Sequence, residues 1–125
     1  MKIVNPIAVL GEDKACEYLR KKGYKIIERN FRKGYGEIDI IAIDSSESEK
    51  VLTFVEVKTR TSNQFGSPLE SITPWKLKSI IKTAQFYKMI HPNLPDSLRI
   101  DAISVVLSDQ NLVENLEHVK NISGF

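Results

Sequence analysis

Asp39, Glu56 and Lys58 are the residues of this chain whose types and spacing could do chemistry. They stand in two short runs, Gly36-Glu37-Ile38-Asp39-Ile40-Ile41-Ala42 and Phe54-Val55-Glu56-Val57-Lys58-Thr59-Arg60. Each run is made of strand-forming residues interrupted by charge at alternate positions. Side chains alternate across a strand, so Glu37 and Asp39 share one face, as do Glu56 and Lys58. Both runs are apolar on both faces, with Ile38, Ile40 and Ala42 expected on one side of the first and Ile41 and Ile43 on the other. Strands of that kind belong in the middle of a sheet covered on both sides. Carboxylates and a lysine are costly there unless paired or bound to a metal, and such a cluster at the edge of a core marks a site.

Neighbouring strands lie about 4.8 Å apart, and residues two apart along a strand are separated by roughly 6.6 Å. If the runs pair with Asp39 beside Glu56, both carboxylates can reach one hard cation at about 2.1 Å per ligand. Lys58 is then one pleat farther on, within reach of a water on that cation. Two acids and a lysine around such a water are the parts needed to hydrolyse a phosphodiester, with the lysine orienting or helping to deprotonate the nucleophile where the transition state is negative. A Glu-x-Lys alone is an ordinary ion pair on an exposed strand; the preceding Gly-x-x-Asp strand, the apolar flanks and the order of the runs favour the site.

These residues need a fold to position them. With 125 residues, 42% hydrophobic and 27% charged, the chain reads as one soluble globular domain over residues 1–125. The net charge of +2 gives no general polycationic character, so affinity for nucleic acid must come from local patches. A single cysteine, Cys16, rules out an internal disulfide framework and fits a reducing compartment. No basic-then-apolar leader pattern opens the sequence and no apolar run reaches membrane-spanning length, which gives the expectation of a cytoplasmic protein without membrane contact.

A helix is expected over 6–22, ended by Gly23, with Ala8, Ala15, Cys16 and Leu19 as its apolar stripe. Glu12 lies on that stripe, which is unusual for an acid; interaction with the helix dipole is the alternative reason for it. Strands are expected over 24–31, 37–43 and 51–58, with a turn at 32–36 and a polar hairpin loop at 44–50. Residues 59–72 read as a loop. Thr73 caps a second helix with Pro74 at its first position, and Leu77, Ile80, Ile81, Ala84 and Tyr87 form its stripe up to Ile90. Strands over 99–107 and 113–120 complete an α/β fold of order αβββαββ, a mixed central sheet flanked by helices. His91 and His118 have no ligand-like spacing and read as structural or surface residues.

Basic residues gather around the first helix and the turns, and Arg60, Lys76, Lys78 and Lys82 follow the Glu-x-Lys strand in the chain. With the acidic site they form a candidate track for a phosphate backbone, the likeliest DNA contacts by position.

The combination of a helix with Glu12, a hairpin with Asp39, then Glu56-Val57-Lys58 and a following helix resembles the PD-(D/E)xK nuclease superfamily. Within it the chain resembles the YraN-like family of small bacterial proteins, themselves similar to archaeal Holliday-junction resolvases. Gly36-Glu37-Ile38-Asp39, Phe54 to Arg60, Phe65-Gly66-Ser67-Pro68, Thr73-Pro74 with the lysine-bearing helix, and Arg99-Ile100-Asp101 carry the resemblance over nearly the whole chain. The superfamily's literal Pro-Asp is absent, since Ile38 precedes Asp39. The resemblance implies a restriction-endonuclease-like core in which Asp39 and Glu56 bind Mg²⁺ or Mn²⁺, the Val57 carbonyl is a third ligand, Lys58 serves the attacking water, Glu12 holds metal-bound water or completes the site, and Gln85 is a polar helix residue near it. It implies a metal-dependent DNA endonuclease selective for branched DNA, for which a homodimer would suit a symmetric junction. The alternative is a nucleic-acid-binding or scaffold protein that keeps the fold with little or no catalysis. Inactive relatives usually lose an acid or the lysine, and this chain retains all of them.

Overall fold

The computed structural model describes residues 5–34, 36–62 and 68–124. Asn5 opens the first helix: its Oδ1 accepts the N–H groups of Ile7 and Ala8 at 3.0 and 3.4 Å, and Pro6, which has no N–H to satisfy, takes the first helical position. This helix, α1, spans Pro6–Lys21. It stops where Gly23 turns to φ 91°, a conformation that costs glycine little, and the Tyr24 N–H returns to the Leu19 carbonyl at 3.0 Å.

The strands that follow are β1 (Lys25–Lys33), β2 (Gly36–Asp44) and β3 (Val51–Thr61), then a 3₁₀ turn at Pro68–Ser71, α2 (Pro74–Ile90), β4 (Ser97–Leu107) and β5 (Val113–Val119). The order is αβββαββ, as expected. The five strands form one mixed sheet in the order β1-β2-β3-β4-β5, antiparallel throughout except where β3 and β4 run parallel. A parallel pair needs a long crossover, and α2 supplies it. Thr73 caps α2 by accepting the Lys76 N–H at 3.1 Å.

Helices cover both faces, which is why the central strands are apolar on both sides. Ala15, Cys16 and Leu19 of α1 pack with Ile40, Ala42, Val55 and Ile103 of the sheet. Ile80, Ala84 and Tyr87 of α2 pack with Ile38, Ile41, Phe54 and Ile100 of the sheet, with Leu77 and Ile81 at the margin. The α2 stripe is the expected one. On α1, Ala8 is exposed, and Ile7 and Leu10 take the inward positions. The contact line at this end runs through buried Gly11, where a Cβ would lie 1.9 Å from Thr59 Oγ1, so only glycine lets the helix approach β3 this closely.

Two features differ from the sequence expectation. Ile38 faces α2 while Ile40 and Ala42 face α1, so the three do not share a face. The alternation of β2 is thus broken between Ile38 and Ile40; in the facing strand Asn30, between the pairs Arg29↔Ile40 and Phe31↔Ile38, takes φ 56°. Asparagine tolerates that left-handed conformation better than most residues. β3 continues to Thr61 because β4 gives it a parallel partner as far as Thr61↔Leu107, so Thr59 and Arg60 are strand and not loop. Residues 65–67 of the Phe65-Gly66-Ser67-Pro68 motif, and Tyr35 in the expected turn, lie outside the described residues.

On the face of the sheet covered by α1, buried charge ties β4 to its neighbours. Asp101, fully buried, accepts from Arg99 Nε at 2.8 Å and from the Asn121 N–H at 3.0 Å, and bonds His118 Nε2 at 2.7 Å. Burial alone would raise this carboxyl, but the bonds from His118 and Arg99 outweigh it and hold the pKa below the usual range. Arg99 also reaches Asp44 at 2.9 Å and the Tyr24 hydroxyl at 2.9 Å, linking β2, β4 and the start of β1. His118 is thus structural, as expected. Among the described residues no helix is long and apolar enough to cross a membrane.

Candidate active site

Strands β2 and β3 are registered from Asp44↔Val51 to Ile40↔Val55. One further step of that ladder sets Asp39 opposite Glu56, and there the strands part. In place of a backbone rung, the Asp39 carboxylate takes the Val57 N–H through Oδ2 at 2.7 Å. The sequence expectation of Asp39 beside Glu56 is thereby met, with the side chain of one strand capping the backbone of the other.

Glu37, Asp39, Glu56, Lys76, Ser79 and Ile80 line a cleft of about 180 Å³ between this point and α2. Gly36 allows α2 to come near: a Cβ there would stand 1.8 Å from Thr83 Oγ1. The Glu56 side chain is only 5% exposed and is held by two lysines through the same oxygen, Oε1: Lys76 Nζ at 2.6 Å and Lys58 Nζ at 3.4 Å. Glu56 and Lys58 therefore share a face as the strand period requires. Glu37 lines the cleft with Asp39, and its Oε1 also takes Arg32 at 3.2 Å.

Packing like charges here has an electrostatic cost. Burial, and then the Glu56 carboxylate, push Asp39 up from 3.8 to about 7; the Val57 N–H opposes this, and Glu12 and Glu37 add to it. Burial and the Lys76 ammonium pull Lys58 below the ordinary lysine range. Burial acts on Lys76 in the same direction, but its bond to Glu56 wins and holds it above that range. One lysine is thus bound firmly as a cation, and the other is the easier of the two to deprotonate.

Glu12 lies on the buried side of α1 with its side chain 12% exposed, as its place on the stripe implied. It is not in the cleft. Its Oε1 is clamped by Arg29 Nε and Asn30 Nδ2, each at 3.1 Å, and only its charge acts on Asp39. Gln85 is exposed on α2 and does not line the cleft; the α2 residues that do are Lys76, Ser79 and Ile80. Arg60 is half-buried within β3, and its Nη1 donates to the Thr61 carbonyl at 3.2 Å. Lys78 and Lys82 are exposed on α2, whereas Lys76 belongs to the carboxylate cluster. Ser79 and the Arg29–Asn30 clamp carry no sequence signal of their own, since each depends on how α1 and α2 dock.

Among the described residues no group of three or more His, Cys, Asp and Glu side chains is placed to hold a metal ion. The donors that converge are two carboxylates, Asp39 and Glu56. Two hard oxygen donors with room for water and phosphate match the needs of Mg²⁺, which is rarely held in an all-protein cage. The residues present fit that ion.

A model of the Uncharacterised protein family UPF0102 matches residues 11–105. A UPF0102 protein of Persephonella marina is 47% identical over 111 residues, covering 89% of this chain and 87% of that protein. The UPF0102 protein TTE1452 of Caldanaerobacter subterraneus is 43% identical over 124 residues, covering 97% of this chain and 98% of that protein. Among solved structures, the MspJI restriction endonuclease in complex with a 27-mer oligonucleotide aligns with 81% of this chain at 17% identity and a TM-score of 0.34, and the chain spans 20% of that protein. The chain belongs to the Uncharacterised protein family UPF0102, the YraN-like family that its motifs resemble.

Proposed function

We propose that this protein is a metal-dependent DNA endonuclease of the PD-(D/E)xK type that hydrolyses phosphodiesters in branched DNA. The observation that carries the reading is the meeting of Asp39 and Glu56 where β2 and β3 part, in a cleft that also brings lysines to the same carboxylate.

Asp39 and Glu56 would hold Mg²⁺ or Mn²⁺, with the Val57 carbonyl as a further ligand. When bound, the ion supplies Lewis-acid activation of water and neutralises charge on the phosphate. The chain's own residues do the rest. Lys58 Nζ orients the attacking water and, when neutral, takes its proton as the new P–O bond forms and the bond to the leaving oxygen breaks. Burial favours that neutral form. Lys76 holds Glu56 in the cluster, and its ammonium would bind a phosphate oxygen if Glu56 served as a metal ligand. Glu12, clamped by Arg29 and Asn30, adds negative potential at Asp39.

Phosphate contacts carry no sequence information, so recognition rests on the shape of the DNA. The specific observation that favours binding without turnover is the occupation of Glu56 by both Lys76 and Lys58. A cleavage screen with Mg²⁺ and Mn²⁺ on linear, flapped, single-stranded and four-way DNA separates the two. Cleavage concentrated at the branched forms and lost in Asp39→Ala supports the nuclease; binding with no cut in any form rejects it.

A further inference from the structure

We infer that the face of α2 built from Trp75, Lys78 and Lys82 is a platform for single-stranded DNA, on which an unpaired base stacks against the Trp75 indole while the two ammonium groups hold adjoining phosphates. This deepens the nuclease reading, on which it rests for the identity of the polymer, by assigning the substrate an unpaired segment beside the cut.

Trp75 is 80% exposed, the most exposed large hydrophobic side chain among the described residues. A single exposed apolar residue is unremarkable in a soluble protein, but its surroundings are specific. Trp75, Lys78 and Lys82 are three and seven residues apart, so they share one helix face, about 10 Å long from first to last. With Ser79 they line an open depression of about 380 Å³. Ser79 also lines the Asp39–Glu56 cleft, so the depression and the cleft are neighbours across one side chain.

Charge selects the occupant. α2 carries Lys76, Lys78, Lys82 and Lys88 and no acidic residue. The +2 net charge of the whole chain makes that a local excess. A flat aromatic face flanked by cations and free of acids suits an anionic polymer with exposed rings, and single strands are bound in this way, by stacking on aromatic side chains along a basic groove. A plain duplex keeps its bases stacked inside and offers Trp75 nothing. A flap, gap or junction arm places an unpaired base next to the bond to be cut.

Trp75 is the chain's one tryptophan, so its emission reports this site alone. The experiment titrates the full chain with an oligo-dT and with a blunt duplex of equal length, in Ca²⁺ to block turnover. It then measures binding of fluorescein-labelled oligo-dT by anisotropy for Trp75→Ala, Trp75→Phe and Lys78→Ala/Lys82→Ala. Saturable quenching by oligo-dT and not by duplex is expected. Affinity should fall about 5- to 150-fold in Trp75→Ala, the range for one lost base stack, and be largely kept in Trp75→Phe. The salt slope should flatten by about 1.4 in the double lysine variant, at roughly 0.7 per lost single-strand contact. No quenching, equal quenching by duplex, or unchanged affinity in Trp75→Ala overturns the proposal. An emission blue shift that grows with protein concentration without DNA also overturns it, by giving the face to a second copy. Asp39→Ala should quench as the wild type does, so loss of cleavage and loss of stacking are read separately.

Discussion

The Asp39 carboxylate accepts the Val57 N–H at 2.7 Å, one residue past Glu56, and so closes the gap left where β2 and β3 stop pairing. That single bond both positions the acid and keeps it next to the like charge of Glu56.

A pH dependence follows. Asp39 titrates near 7 in the folded chain against 3.8 in the reference state. Between those values the folded state holds a proton that the unfolded state has lost, so this group's contribution to stability falls as pH rises from about 4 to 7. The melting temperature of the metal-free wild type, taken relative to Asp39→Asn, should therefore drop between pH 5 and pH 8. Metal must displace the same proton, so Mn²⁺ affinity by calorimetry should rise about tenfold per pH unit below 7 and level off above it. A flat profile would mean that Asp39 is ionised throughout.

The two lysines on Glu56 should separate by experiment. Lys58→Ala should lower cleavage about 10²-fold or more, the loss expected for a group that serves the nucleophile. Lys76→Ala removes the cation that competes for Glu56. It should raise Mn²⁺ affinity without DNA by roughly three- to fivefold, a small effect because the lysine is partly solvated. Equal Mn²⁺ binding by the wild type and Lys76→Ala would show that Lys76 yields Glu56 without cost.

Gly36 and Thr83 set the width of the cleft. Gly36→Ala should cost about 1–3 kcal/mol by overpacking, because the new methyl meets Thr83 Oγ1. Pairing it with Thr83→Ala should return most of the loss. Additive losses in urea denaturation would place the strain elsewhere.

On the face of the sheet opposite the cleft, the fully buried Asp101 holds Arg99 and His118. Asp101→Ala strands those partners and should cost about 3–5 kcal/mol. Because Asp101, although in register with Val55, lies on the face of the sheet opposite the cleft, any variant that stays folded should keep the wild-type Mn²⁺ affinity, measured at a temperature below its melting point.

The element order and the α2 stripe were legible because each rests on local period and capping, which survive in any tertiary setting. Asp39 beside Glu56 was legible for the same reason: the hydrophobic phase of two strands sets their register. The face of Ile38 was not, because β2 breaks its alternation between Ile38 and Ile40 and the period-2 pattern carries no mark of it. Gln85 has the chemistry of a site residue, yet Ala84 and Tyr87 point inward and leave Gln85 on the outer side of α2. Lys76 reads in sequence as one lysine among several; only the docking of α2 on the sheet joins it to Glu56 and leaves Lys78 and Lys82 outside.

The most direct measurement of the central claim is cleavage of a labelled flapped DNA by the purified chain, in Mg²⁺ and in EDTA, beside folded Asp39→Ala and Glu56→Gln. Mg²⁺-dependent cutting by the wild type, absent in EDTA and reduced at least about 10²-fold in both variants, is the expected result. Cutting that persists in either variant, or a wild type that binds the DNA and leaves it intact in Mg²⁺ and Mn²⁺ alike, would contradict the assignment of Asp39 and Glu56 as a nuclease centre.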